Sequence, residues 1–235
     1  MTRGPDLSRR RLLRDLGIAG IATGGLAFVT TGDAVAYQQA STFQTDAAVD
    51  VLVEWRETYN GAVLETGATD PDPTAPLISL TDVQPGDEGV LAFRVSVAAA
   101  AEPEQTVSLV MDAAITDEAE NGITEPERAA GDDTSDGELA DHVRAEVWYD
   151  AGLFGGCNGT LEPGNPILAE GSLREVAGAI SADPLANPGG DGDCFGLEDS
   201  VCLGLHWWLP TGGEEVNVYQ SDGATFDLSF GAVQC

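Results

Sequence analysis

The chain has 235 residues, enough for one large domain and too many for a disulfide miniprotein. Its 40 acidic residues stand against 10 basic ones, all arginine, for a formal charge of −30. A field of that sign excludes nucleic acid and anionic lipid surfaces as partners, and a hydrophobic fraction of 43% excludes wholesale disorder. An acidic, lysine-free composition is expected of a salt-adapted, halophilic protein, in which dense carboxylates hold water and high ionic strength screens their repulsion.

Residues 1–36 read as an export signal. Ser8-Arg9-Arg10-Arg11-Leu12-Leu13 is a twin-arginine motif, a mildly apolar run extends from Leu16 to Val29, and Ala34-Val35-Ala36 has the small residues a signal peptidase requires. The apolar run is shorter than the ~20 residues of a spanning helix, so no stable membrane insertion is expected after cleavage. Residues 37–48 (YQQASTFQTDAA) contain neither glycine nor proline and form either a leader or a strand without an obvious local partner.

From residue 49 the pattern is that of strands. Val49, Val51, Val53 and Trp55 alternate with Asp50, Leu52, Glu54 and Arg56, the period of a half-buried strand. Asn60-Gly61 is a tight-turn dipeptide, and Pro85-Gly86 suits the centre of a type II turn. Strands are expected over 90–97, 106–116, 142–150, 201–209 and 224–233, with an acidic excursion at 117–138 and a Gly/Pro/Asp loop at 184–193. Ser172-Leu173-Arg174-Glu175 is a capping box, and Leu173, Val176, Ala177 and Ile180 follow at helical spacing, so a short amphipathic helix spans 172–181. The expected fold is all-β: a jelly-roll-like β-sandwich over 49–235 with one short helix and long acidic loops.

The four cysteines, Cys157, Cys194, Cys202 and Cys235, lie in the exported part and read as two disulfides. Of the three possible pairings, Cys157–Cys194 closing the glycine-rich loop and Cys202–Cys235 tying down the chain end are preferred. The sequence has no G-x-S-x-G, no H-E-x-x-H and no phosphate-binding glycine loop, and acidic pairs are too common in it to specify a hydrolase, so an enzyme is not expected. No cofactor motif is present either.

Calcium is the ion with a candidate loop. Asn121-Gly122-Ile123-Thr124-Glu125-Pro126 and Asn158-Gly159-Thr160-Leu161-Glu162-Pro163 share N-G-x-x-E-P, and Asp117, Asn121 and Glu125 fall at ligand-like spacing. Ala119 and Arg128 stand where oxygen ligands belong, which favours the simpler reading of two N-G turns on an acidic surface. Asn158-Gly159-Thr160 is an N-glycosylation sequon. Trp207 and Trp208 must point to opposite faces of a strand, one into the core and the other to the 172–181 helix, another subunit or solvent. A sugar-stacking platform is the less favoured reading, because no second exposed aromatic follows at strand spacing.

Four runs resemble a known family: Asn121-Gly-Ile-Thr-Glu-Pro-Glu127, Glu170-Gly-Ser-Leu-Arg-Glu-Val176, Cys202-Leu-Gly-Leu-His-Trp-Trp-Leu-Pro210 and Thr225-Phe-Asp-Leu-Ser-Phe-Gly-Ala-Val-Gln-Cys235. They look like the haloarchaeal branch of the TasA/camelysin proteins, exported proteins often described by their SipW-type signal peptides. The resemblance implies a jelly-roll sandwich and extracellular fibres of a biofilm matrix, in which the segment after the cleavage site is a donor strand completing the next subunit. On that reading the partner is a second copy of this chain, joined head to tail, and Tyr37 and Phe43 are the groove anchors. The alternative expectation is a monomeric secreted module binding calcium or glycans.

Overall fold

The computed structural model describes residues 39–44, 49–63, 78–100, 104–133, 135–151, 156–189, 192–212 and 217–235; for 39–44, 98–100 and 183 only the backbone course is described. Residues 1–36, read from the sequence as an export signal, and Tyr37 lie outside these residues.

Two antiparallel sheets face each other. The larger has seven strands in the order β1 (Gln39–Gln44), β2 (Val49–Tyr59), β5 (Glu88–Ala100), β11 (Ser200–Trp208), β7 (Arg144–Tyr149) and β8 (Ile167–Ser172), with β3 (Ala62–Val63) also paired to β2. The smaller has five, in the order β10 (Cys194–Phe195), β6 (Val107–Ala119), β12 (Gly223–Gln234) and β4 (Ile78–Thr81), with β9 (Asp183–Pro184) also on β6. The all-β sandwich expected from the alternation is therefore the fold.

Alternation decides which face is inside. Val51 and Val53 of β2, Leu91, Phe93, Val95 and Val97 of β5, and Leu203, Leu205 and Trp207 of β11 are buried in one core with Val107, Leu109 and Met111 of β6 and Phe226 and Phe230 of β12. Phe93 and Phe230 meet from opposite sheets with ring centroids 5.9 Å apart. Each such side chain contributes roughly 1.5–3 kcal/mol on burial, so a strand slipped by one residue would lose its whole buried set.

Among the described residues three short helices, not one, accompany the sheets. The expected helix is α3 (Leu173–Ala179), N-capped by Ser172, whose Oγ accepts from the Glu175 amide while Glu175 accepts from the Ser172 amide at 2.7 Å. Leu173, Val176 and Ala177 bury its inner face. The other two, α1 (Glu125–Ala130) and α2 (Leu139–His142), lie within and just after the stretch read as an acidic excursion. Polar composition hid α1, because its start is set by a second capping box, Thr124 with Glu127, and its end by Gly131 at φ +99°. His142, read as the start of a strand, ends α2 instead.

The disulfide pairing differs from the expectation. Cys157 bonds Cys202, and Cys194 bonds Cys235. Pairing follows sheet neighbourhood and not loop closure. Asp150, just after β7, donates its amide to Cys202 O and accepts the Cys157 amide, which folds the 156–160 loop back over β11. Cys194 lies opposite Ser108 on β6, and Cys235 donates its amide to the carbonyl of Thr106, just before the same strand. The segment read as lacking a local partner has one: β1 pairs with β2 of its own chain, Gln39 opposite Trp55 through Gln44 opposite Asp50.

Candidate functional site

Two features stand out from the sandwich: the outer edge of β2, and a carboxylate cluster at one end of the smaller sheet.

The edge is built by two separate pieces. β5 occupies one side of β2 along its whole length. On the other side β1 covers Asp50–Trp55, while β3 covers Thr58 and Tyr59. β3 is reached through Asn60-Gly61, both at positive φ (48° and 74°), a backbone that Asn and Gly tolerate. That corner is pinned to the β4–β5 turn: Tyr59 Oη donates to Asp87 Oδ2 at 2.6 Å, and Asn60 Nδ2 donates to Asp87 Oδ1 at 2.9 Å. Burial pushes the Asp87 carboxyl up, but the Tyr59, Asn60 and Gln84 donors outweigh it and hold the group below the usual aspartate range. Burial, with Asp87 beside it, pushes the Tyr59 phenol up. β1 is described by its backbone pairing with β2. Of the two predicted groove anchors, Phe43 stands opposite Val51 in this ladder.

The second feature joins three chain segments. Glu120 follows β6, Glu138 precedes α2, and Asp222 precedes β12; one carboxylate oxygen from each lies within 4.8 Å of the others. Asp222 is 2% exposed. Its Oδ2 accepts the Glu138 amide at 2.6 Å, while its Oδ1 is buried with no hydrogen-bond partner. Glu120 Oε1 accepts the Gly122 amide at 2.8 Å, and its Oε2 is likewise buried without a partner. Among the described residues no arginine pairs with Glu120 or Asp222. Burial, the Glu120 carboxyl close enough to share a proton, and the charges of Glu120 and Glu138 push Asp222 up to about 7 against the pull of the Glu138 amide.

The loop read as a calcium candidate has another use. Glu125 is exposed at the first position of α1, Asn121 Nδ2 donates to Ser221 O at 2.9 Å, and Asp117 is exposed on β6 opposite Thr225. The E-P of the motif is thus a helix start, with Pro in the first turn. Glu127, fully buried behind it, accepts from the Thr124 amide and from the Ser221 amide and hydroxyl at 2.8 and 3.0 Å. Burial raises its carboxyl, but these donors overcome that and leave it below the usual glutamate range. The second N-G copy is a turn in which Asn158 Oδ1 accepts the Thr160 amide at 2.6 Å, and Gly159 donates to buried Asp150 at 2.7 Å. The sequon residue Asn158 is half-buried within it.

Trp207 enters the core, 2% exposed and 6.0 Å from the Tyr59 ring. Trp208 faces the opposite way and stacks on His206, with ring centroids 4.8 Å apart. His206 in turn lies 3.2 Å from both Glu88 and Glu146, which flank it on β5 and β7. None of the three cluster carboxylates was singled out from the sequence. In a chain this acidic, only the return of β12 alongside β6 brings them together. Comparison with family models, curated proteins and solved structures finds no match.

Proposed function

We propose that the chain is an extracellular structural subunit that assembles head to tail into fibres, each copy lending its first strand to the sheet of the next. The observation that carries this reading is the place of β1. It is the first described strand, sits at the sheet edge, and is held by one neighbour through six residues. A strand so placed can leave its own β2 and form the same ladder on another copy, because both states satisfy the same N–H and C=O groups. An exchange of that kind runs head to tail and does not close on itself, so it propagates as a filament.

Other features point the same way. Two disulfides suit an oxidising, extracellular setting and hold the remaining sandwich together when its edge strand departs. No helix among the described residues is long and apolar enough to cross a membrane. High salt lets subunits of the same sign approach. The resemblance to TasA/camelysin proteins supports the same assembly.

The test uses the register itself. Thr42 and Leu52 are directly opposite in the β1–β2 ladder. Thr42→Cys with Leu52→Cys, oxidised at high salt in a chain beginning at Tyr37, should give a ladder of covalent multimers on a non-reducing gel. The unsubstituted chain should form filaments by negative-stain microscopy, and a chain beginning at Val49 should not. Covalently closed monomers with no filaments would overturn the exchange and favour a monomeric secreted module; filaments from the shortened chain would overturn the role of β1.

A further inference from the structure

We infer that Glu120, Glu138 and Asp222 form a binding site for a hard divalent cation of the calcium class. This goes beyond fibre assembly and does not depend on it. Three carboxylates from three separate segments converge within 4.8 Å, without an arginine on Glu120 or Asp222 among the described residues. An acidic chain brings carboxylates together often, so convergence alone would mean little. The independent observation is Asp222: it is 98% buried by its 2% exposure, and its Oδ1 has no hydrogen-bond partner. A buried carboxylate oxygen without a donor is costly unless a cation or a proton meets it. Glu120 Oε2 is in the same condition on the facing segment.

The geometry also leaves the right atoms available. A backbone amide holds one oxygen of each, Gly122 on Glu120 Oε1 and Glu138 on Asp222 Oδ2, so the other oxygen of each of these carboxylates remains for a ligand. The set is all oxygen, with no histidine or cysteine, which selects calcium-like ions over zinc or copper. Glu120 and Glu138 are half-buried, so water completes the six to eight ligands calcium takes, about as many as carboxylates and solvent together supply. A bound ion would tie the end of β6, the entry to α2 and the start of β12 into one unit, fastening the acidic excursion to the smaller sheet.

The experiment is calorimetry of CaCl₂ into the EDTA-treated chain beginning at Tyr37, at constant high NaCl, with thermal unfolding in EDTA and in calcium. One saturable site per chain is expected, with a rise in unfolding midpoint on adding calcium. Glu120→Gln and Asp222→Asn should each weaken binding at least tenfold and lose the calcium-dependent rise, while Glu125→Gln keeps both. If Asp222→Asn does not fold, Glu120→Gln and Glu138→Gln decide. Absence of saturable binding in the unsubstituted chain would overturn the site and leave a shared proton as the occupant; unchanged binding in Glu120→Gln would overturn it equally. Filament formation is scored separately, so failure of this site leaves the β1 reading intact, and the reverse.

Discussion

The indole of Trp207 packs against Gly89, its direct neighbour on β5, so closely that a Cβ on Gly89 would sit 2.4 Å from Nε1. The same device recurs on the other face, where Trp148 covers Gly204 and a Cβ there would lie 2.2 Å from the ring. Each glycine is needed for space and not for its backbone, which is extended in a strand. A large indole is thereby seated across a pleat without bending the sheet.

Gly89→Ala should therefore destabilise the fold by about 1–3 kcal/mol or more, because the ring has tightly packed neighbours and little room to move. Gly178→Ala is the matching control. It lies in α3 with nothing within 4 Å of the added carbon, and should be neutral or stabilise by up to about 1 kcal/mol. Denaturant unfolding of both variants at constant high salt checks the pair.

The disulfide connectivity carries its own expectation. Peptide mapping under non-reducing conditions should join the Cys157 peptide to that of Cys202, and Cys194 to Cys235. Replacing the second pair by serine removes the covalent anchor of the last strand and should lower stability by about 2–5 kcal/mol. Limited proteolysis should then cut first near the C-terminal end of β12, where Val233 is already 58% exposed.

Glu127 gives a pH dependence with a definite sign. Its folded-state pKa lies below the ordinary 4.5, so the unfolded chain binds the proton more readily. The stability it contributes is present above about pH 4.5 and is lost as pH falls through the lower, folded value. Glu127→Gln should flatten this part of the acid limb in a plot of unfolding midpoint against pH. At neutral pH it should cost about 1–3 kcal/mol, since the Thr124 amide and the Ser221 donors lose a charged acceptor.

Much of the architecture was legible because strands bury alternate residues. The runs around Val51, Phe93, Leu109, Leu203 and Phe226 each announced a strand, and the alternation at Val51, Phe93 and Phe226 also announced its inner face, without reference to any partner. The α3 helix was legible for an equally local reason: Ser172 and Glu175 satisfy each other's backbone within one turn. The helix at 125–130 carried the same signal in Thr124 and Glu127, and its acidic surroundings concealed it. Composition also fixed the charge and, with it, the classes of partner excluded.

Tertiary structure alone decided what depends on distant segments meeting. Cys157 could not reveal Cys202 as its partner, because their approach depends on Asp150 folding a loop across β11. The hairpin of β1 on β2 could not be read from residues 37–48, since a strand with no strong alternation takes whichever edge is open. Glu120, Glu138 and Asp222 converge only because β12 returns beside β6 at its far end, with Gly223 opposite Ala119. Local patterns specify elements through backbone sterics and burial, whereas a site assembled from three segments is specified by their packing in space.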